Sequence, residues 1–399
     1  MILRYVAIAL LGLFTAAGCA SAAGMFTNRH LLAFHACPMA QASNPENHYT
    51  YVAGSDNGLN WQVPTNYTAF KGSVPDLIRR GNIIYIYNPG TLHKYDTGAG
   101  DWSFTNVTIQ HPGGEEEFWV DPGVILDDQG RIVLFYLVGN TNGYDPAGLP
   151  PGATNATKIF RSATEVYGSD GSRFIVDDGD RAQVEISTGL TCSDPDIVYT
   201  PGKYLMLAAF CNSIKAMQCE SLRGSYSNVP GLVGEGMLVL NVSIPAGHYV
   251  PATGKYWVFG GNMVESRYAL FRGVTNSFQQ TMNVMDFTIA FDPTNYAGFG
   301  SNYLTASPGL ADNSFEPWYY TNNLAAVDAA ASRGASTGYV TVSWAALTNA
   351  AAYTVLRSES DDTNTAAIAG TTTNNVFNDT SAVRGKIYYY WVQPVDCFH

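Results

Sequence analysis

The segment VDPGVILDDQGRIVLFY, residues 120–136, decides the fold of this 399-residue chain. It contains an Asp-Pro pair, an apolar run, an Asp-Gln-Gly turn and a second apolar run. Two runs of this length and composition on either side of a glycine turn are typical of paired β-strands. Proline within a sheet is confined to edge strands, strand starts and bulges. The segment therefore predicts a β-hairpin whose first strand begins at the proline.

The same layout recurs at three other places in the chain. These are SVPDLI (73–78) before IIYIY (83–87), SDPDIV (193–198) before YLML (204–207), and SIPAGHYV (243–250) before YWVF (256–259). With the N-terminal hairpin from His30 to Trp61 counted as one more unit, five units result. Helical periodicity is absent nearly everywhere. Repetition of β-units at this spacing is the signature of a propeller. Residues 24–318 are therefore predicted to form an all-β, five-bladed β-propeller.

The N-terminal 23 residues have the layout of a secretory signal peptide. Arg4 precedes an apolar run from Tyr5 to Phe14, and small residues follow as far as Ala23. The run is too short for a permanent membrane span, and no later stretch is apolar enough to be one. We therefore expect an exported protein, secreted, periplasmic or associated with the cell surface. Cleavage before Cys19, as in a bacterial lipoprotein, is the alternative.

The composition excludes some classes of partner. The chain has 33 acidic and 21 basic residues and a net charge of -12, which disfavours binding to nucleic acid or to an anionic membrane surface. Its 25 tyrosines, 19 phenylalanines and 7 tryptophans suit packed sheets and stacking on sugar rings. Three of the six cysteines, Cys192, Cys211 and Cys219, are close in sequence. They predict a disulfide within one unit in an oxidising compartment.

The composition changes again in the last 80 residues. A stretch from Asn322 to Gly338 is rich in Ala, Ser and Gly, and three alternating strand patterns follow at 339–344, 353–358 and 388–392. These patterns resemble the fibronectin type III modules that are attached to bacterial polysaccharide-acting proteins. The resemblance implies an immunoglobulin-like β-sandwich over residues 319–399 that acts as a spacer.

Four carboxylates adjoin the repeated prolines. Asp121 and Asp194 precede a proline, whereas Asp76 and Asp196 follow one. The innermost strand of each propeller blade lines a central channel, so polar residues at its start converge there. Two such carboxyl groups can hydrolyse a glycosidic bond, one by protonating the leaving oxygen and the other by activating water. The alternatives are turn caps and a structural Ca²⁺ site, since Ca²⁺ prefers oxygen ligands.

Residues 25 to about 310 resemble the five-bladed propeller of glycoside hydrolase family 43 and its relatives. The segment from Asp121 to Gly130 is similar to a motif of that family, an Asp-Pro followed by an acidic glycine turn. Residues 73–87 are similar to its Trp-Ala-Pro-Asp unit. The resemblance implies that Asp121 orients the sugar and tunes the pKa of the general acid.

The other two roles depend on positions where this chain departs from the family. Ser193-Asp194-Pro195 stands where the family has Glu-Gly-Pro, and no Asp-Pro precedes the first hairpin. Asp194 is accordingly predicted to be the proton donor and Asp76 the base, with Glu235 as an alternative acid.

The leading hypothesis is a glycoside hydrolase that acts on a neutral poly- or oligosaccharide and requires no cofactor. Four residues are predicted to contact the sugar: Asp196, Glu235, His248 and Trp119. The competing hypothesis is a noncatalytic carbohydrate-binding or adhesion protein of the cell surface built on the same fold. The missing first-unit aspartate favours this competitor.

Overall fold

The structure is a computed structural model, and it describes most of the chain after residue 23. The described residues are 24–139, 155–187, 190–234, 236–264, 267–296, 299–300, 302–313, 329–332, 338–347, 350, 352–360 and 366–395. The predicted signal peptide, Cys19 and Glu235 lie outside these residues.

Strands form nearly all of the regular structure, and the described residues contain no α-helix. Short 3-10 helices lie at Met39–Gln41, Pro45–Asn47, Val284–Asp286 and Pro293–Asn295. The strands are β1 (His30–Pro38), β2 (Tyr49–Ser55), β3 (Phe70–Lys71), β4 (Asp76–Arg80), β5 (Ile83–Asn88), β6 (Thr91–Asp96), β7 (Asp101–Asn106), β8 (Thr108–Gln110), β9 (Trp119–Leu126), β10 (Ile132–Val138), β11 (Asn155–Glu165), β12 (Arg173–Val176), β13 (Ala182–Ser187), β14 (Cys192–Thr200), β15 (Lys203–Phe210), β16 (Ser213–Cys219), β17 (Ser227–Asn228), β18 (Met237–Leu240), β19 (Ser243–Val250), β20 (Lys255–Val264), β21 (Arg267–Thr275), β22 (Met282–Asn283), β23 (Thr288–Phe291), β24 (Tyr303–Asp312), β25 (Ala329–Ala331), β26 (Val340–Trp344), β27 (Ala352–Ser358), β28 (Ala367–Thr372), β29 (Val376–Asp379) and β30 (Tyr389–Val395).

The described strands β1 to β24 form five sheets around a common centre. Their orders are β24-β1-β2-β3, β4-β5-β6-β7, β9-β10-β11-β12-β8, β14-β15-β16-β18-β22 and β19-β20-β21-β23, with β13 and β17 paired to β11 and β16. The strand at one end of each sheet, which we call the inner strand, contacts the inner strand of the next sheet. This circle runs β4, β9, β14, β19, β24 and back to β4. The arrangement is propeller-like.

The sheet that closes the ring joins both ends of this region. Its inner strand β24 pairs antiparallel with β1, with His30 opposite Asp312. The sequence predicted the N-terminal hairpin of this sheet but missed its inner strand. That strand contains Ser307-Pro308-Gly309, whose proline corresponds to the repeated prolines of the other four units.

The hydrophobic core lies between neighbouring sheets all around the ring. Strand β5 shows how one strand serves two interfaces, because its successive side chains point to opposite faces. Ile84 and Ile86 pack toward β1, whereas Tyr85 and Tyr87 pack toward β9 and β10. Both faces of the strand are therefore buried, which explains its continuous apolar sequence.

The ring leaves no space for a side chain beyond the Cα atom at Gly123. A Cβ atom there would lie 2.2 Å from the carbonyl oxygen of Pro195 on the adjacent inner strand. We expect Gly123→Ala to destabilise the fold by about 3 kcal/mol, at the upper end of overpacking effects, because a backbone oxygen cannot rotate away. Urea unfolding measures this change. The control is Gly300→Ala, where an added Cβ atom would have no described atom beyond the flanking residues within 4 Å. Equal effects of the two substitutions would contradict the prediction.

The C-terminal strands form two further sheets of three strands each, β25-β26-β29 and β28-β27-β30. Alternate residues of β26 and β27 supply a small core made of Val342, Trp344, Tyr353 and Val355. The three strand patterns read from the sequence therefore fall on β26, β27 and β30.

The four described cysteines, Cys37, Cys192, Cys211 and Cys219, are free thiols. The prediction of a disulfide among the last three is thus wrong for this structure. Strands β14 and β15 set Cys192 opposite Phe210, so the paired backbone does not place a second cysteine across from it. Among the described residues, no helix has the length and hydropathy that a membrane span requires.

Candidate functional site

In or just before each of the five inner strands, the residue that precedes the repeated proline has the left-handed backbone conformation. The φ angles are 43° at Val74, 55° at Asp121, 49° at Asp194, 59° at Ile244 and 51° at Ser307. This conformation is uncommon outside glycine and strained for β-branched residues. It recurs at the same place, before the repeated proline, in all five units.

These five residues separate two cavities along the central channel. Above them is a cavity of about 360 Å³, the entrance pocket, which is also lined by His35, His48, Ser73, Lys158 and Tyr268. Below them is the inner cavity of about 20 Å³, which is also lined by the five prolines together with Asp76 and Asp196. Four carboxyl groups therefore lie in two layers, with Asp121 and Asp194 facing the entrance pocket.

Asp121 and Asp194 form the upper carboxyl pair on adjacent inner strands. The amide of Asp194 donates to Oδ2 of Asp121 over 3.4 Å, and Ser193 Oγ donates to Oδ2 of Asp194 over 2.5 Å. Loss of water contact raises the pKa of Asp194 to about 6. The same loss, together with the nearby Asp194 carboxylate, raises the pKa of Asp121 well above its ordinary value. The pair can thus hold a proton near neutral pH.

Asp76 and Asp196 form the lower carboxyl pair, and both tie neighbouring sheets together. Asp76 accepts hydrogen bonds from the amides of Leu77 at 2.8 Å and Val124 at 2.6 Å, one on each oxygen. Asp196 accepts from the amide of Gly247 at 2.5 Å. Burial raises the pKa of both groups, to about 7 for Asp196, and their mutual repulsion raises that of Asp76 further.

The remaining predicted site residues do not join the entrance pocket. His248 lines a third cavity of about 60 Å³ at the opposite end of the channel, together with Arg79 and Asp312. Burial lowers the pKa of His248 to about 4. Trp119 lies in the hydrophobic core against Tyr136, with a ring separation of 6.4 Å. The position of Trp119 thus gives its predicted sugar contact no support.

The sequence did not single out three residues of the entrance pocket, His35, His48 and Ser73. The Ser73 hydroxyl and Nδ1 of His48 are 2.7 Å apart, and the rings of His35 and His48 stack at 4.2 Å. No repeated motif marks these two histidines, because they come from β1 and from the loop before β2. Only the position of Ser73, two residues before a repeated proline, was a signal.

Within the described part of the chain, no three His, Cys, Asp or Glu side chains are grouped as a metal site requires. These side chains therefore lie in pairs and not in a larger cluster. The Ca²⁺ site stays an untested prediction.

The sequence matches no protein-family model, and no curated protein matches it. Several solved structures are similar in shape. An endo-1,5-α-L-arabinanase from Thermotoga petrophila has a TM-score of 0.39 and 14% identity, over 56% of this chain and 68% of that one. An endo-1,4-β-xylanase from Bacteroides thetaiotaomicron has a TM-score of 0.38 and 11% identity, over 59% and 92% of the two chains.

A third solved structure covers nearly the whole length of both chains. It is a GH43_12 protein retrieved from a capybara gut metagenome, with a TM-score of 0.36 and 11% identity over 94% of this chain and 96% of that one. Identity and TM-score are low in all three comparisons. The function proposed below therefore depends on the residues of the site.

Proposed function

We propose that this chain is an exported glycoside hydrolase of the family 43-like kind, built as a five-bladed β-propeller followed by a fibronectin III-like sandwich. The substrate is a neutral poly- or oligosaccharide that enters the pocket above the ring of prolines. The observation that carries the proposal is the upper carboxyl pair at the floor of this pocket. Carboxyl groups with raised pKa values in a cleft are typical of catalytic acids.

In this proposal Asp194 donates a proton to the leaving oxygen, and Asp121 tunes it. A general acid works best when its pKa is near the working pH, and the pKa of Asp194 is raised to about 6 by burial. As the Asp194 proton leaves, the Asp121 carboxyl next to it stays protonated longer, because burial and that neighbour raise its own pKa. The pair therefore carries one negative charge rather than two after proton transfer.

The direct test is hydrolysis of a panel of aryl glycosides and neutral polysaccharides, with products resolved by chromatography. Turnover of one or more substrates supports the proposal. The rate should fall as the pH rises through about 6, since deprotonated Asp194 has no proton to donate. A rate that instead increases through that range would exclude Asp194 as the acid.

A noncatalytic carbohydrate-binding protein is the second candidate, and the position of Asp76 favours it. The predicted base lies in the inner cavity and not among the described residues of the entrance pocket. Both of its oxygens accept backbone amides, so it is poorly placed to activate water next to a sugar. Binding on a glycan array without turnover of any panel substrate would establish this second function.

A further inference from the structure

The loop before β2 brings one imidazole to the wall of the entrance pocket. His48 follows the 3-10 helix Pro45–Asn47, and its carbonyl oxygen accepts the amide of Gly72 over 3.2 Å. Their neighbours Tyr49 and Lys71 pair with each other where β2 lies beside β3. The backbone thus fixes His48 directly beside Ser73, two residues ahead of the ring of prolines.

The hydrogen bonds of His48 determine its tautomer. Nε2 lies 3.0 Å from the carbonyl oxygen of Ala42, which can only accept, so the ring proton is on Nε2. Nδ1 of the neutral ring is then an acceptor, and the Ser73 hydroxyl donates to it over 2.7 Å. Burial lowers the pKa of His48, against the opposing effect of the Ala42 hydrogen bond. The ring is therefore neutral and ready to take a proton through Ser73.

A second imidazole holds the first in place. The rings of His35 and His48 are stacked with centroids 4.2 Å apart and planes 15° apart. The amide of Val74 donates to Nδ1 of His35 over 3.2 Å. Burial and the adjacent His48 lower the pKa of His35 to about 3. His35 consequently stays neutral and buttresses the ring of His48 without competing for its proton.

The proposed function needs a base in the entrance pocket, and Asp76 is not there. Ser73 and His48 line that pocket together with Asp121 and Asp194. We propose that Ser73, backed by His48 as proton acceptor and by His35 as a positioning residue, activates the attacking water in place of an aspartate base. This inference rests on the glycosidase function proposed above.

The proton transfers balance as follows. The water oxygen forms a bond to the anomeric carbon as the glycosidic bond breaks, and Asp194 gives its proton to the leaving oxygen. The water loses a proton to Ser73 Oγ, while the Ser73 hydroxyl proton moves to Nδ1 of His48. His48 becomes an imidazolium whose Nε2–H still donates to the carbonyl oxygen of Ala42. Return of the His48 proton to Asp194 through solvent restores the site.

The test compares His48→Ala, Ser73→Ala and a matched control, His93→Gln, on the substrate found for the wild type. His93, on β6 of another sheet, is a partly buried imidazole whose ring stacks on that of Phe70 with centroids 3.6 Å apart. We expect kcat to fall by about 10²–10⁴ in His48→Ala, with a smaller loss in Ser73→Ala, little change in KM and no change in the control. Added azide should restore turnover in His48→Ala and give a glycosyl azide, since an anionic nucleophile needs no base.

The outcomes separate the two proposals. A wild-type protein without turnover on any substrate overturns the glycosidase function. An active wild type whose kcat survives in both His48→Ala and Ser73→Ala overturns only the base. Loss of activity in His48→Ala that azide does not restore also overturns it, because such a loss is structural. If His48→Ala fails to fold, the kcat of Ser73→Ala decides alone.

Discussion

Replacing Asp194 with Asn is expected to lower kcat by about 10²–10⁴ on a substrate with a poor leaving group. Asparagine has nearly the same shape but no proton to give to the leaving oxygen. The loss should be much smaller on an aryl glycoside with an acidic phenol, because that leaving group departs without protonation. Steady-state kinetics across a series of phenols with different pKa values measures this difference.

Two further variants complete this experiment. Asp121→Asn leaves a neutral side chain beside Asp194, whose pKa is raised by its own burial, so its pH–rate profile should stay near that of the wild type. Asp128→Asn is the matched control, since this aspartate is exposed in the turn after β9. Equal loss on all leaving groups in Asp194→Asn would assign this residue to sugar binding and not to proton donation.

Stability is expected to fall as the pH rises from 5 to 8. The pKa of buried Asp196 is raised from 3.8 to about 7 in the folded state. A carboxyl group whose folded pKa is above its unfolded value stabilises the fold fully below the unfolded pKa. That contribution is lost as the pH rises through the folded pKa. At 1.36 kcal/mol for each pKa unit, the whole loss for this group is on the order of 4 kcal/mol between pH 3.8 and 7, and about 3 kcal/mol of it falls above pH 5. Asp76 and Asp121 act in the same direction.

Guanidinium unfolding at pH 5 and pH 8 measures this effect. Asp196→Asn should flatten the pH dependence, because the amide does not ionise and the repulsion on Asp76 is gone. The control Asp128→Asn should keep the wild-type slope. A free energy of unfolding that is equal or greater at pH 8 would show that ionisation of the lower carboxyl pair does not destabilise the fold.

Local patterns in the sequence were enough for most of the all-β architecture but not for its closure. The hairpins around 73–87, 120–136 and 193–207 were predicted because each is a short-range unit with its own proline and turn. The inner strand β24 was missed, since it pairs with β1 more than 260 residues earlier. Pairing between distant segments leaves no periodic signal in either one.

The candidate site was likewise only partly predictable from the sequence. Asp121 and Asp194 occupy equivalent places in two repeats, so alignment of the repeats placed them together. Their separation from Asp76 and Asp196 into two layers follows from the left-handed residue before each proline, which composition does not reveal. His48 and His35 meet only because a loop folds over β1. No sequence pattern predicts such a contact.

The fivefold left-handed position before proline has a consequence for protein engineering. Valine, isoleucine, serine and aspartate all occupy it with φ between 43° and 59°, so the fold holds this backbone with several side chains, at a cost in strain for the β-branched ones. The ring thus has five equivalent positions that line the entrance pocket, and two of them carry carboxyl groups. Functional groups can be rearranged around the axis by single exchanges at Val74, Ile244 or Ser307, which makes this scaffold suited to the stepwise construction of new catalysts.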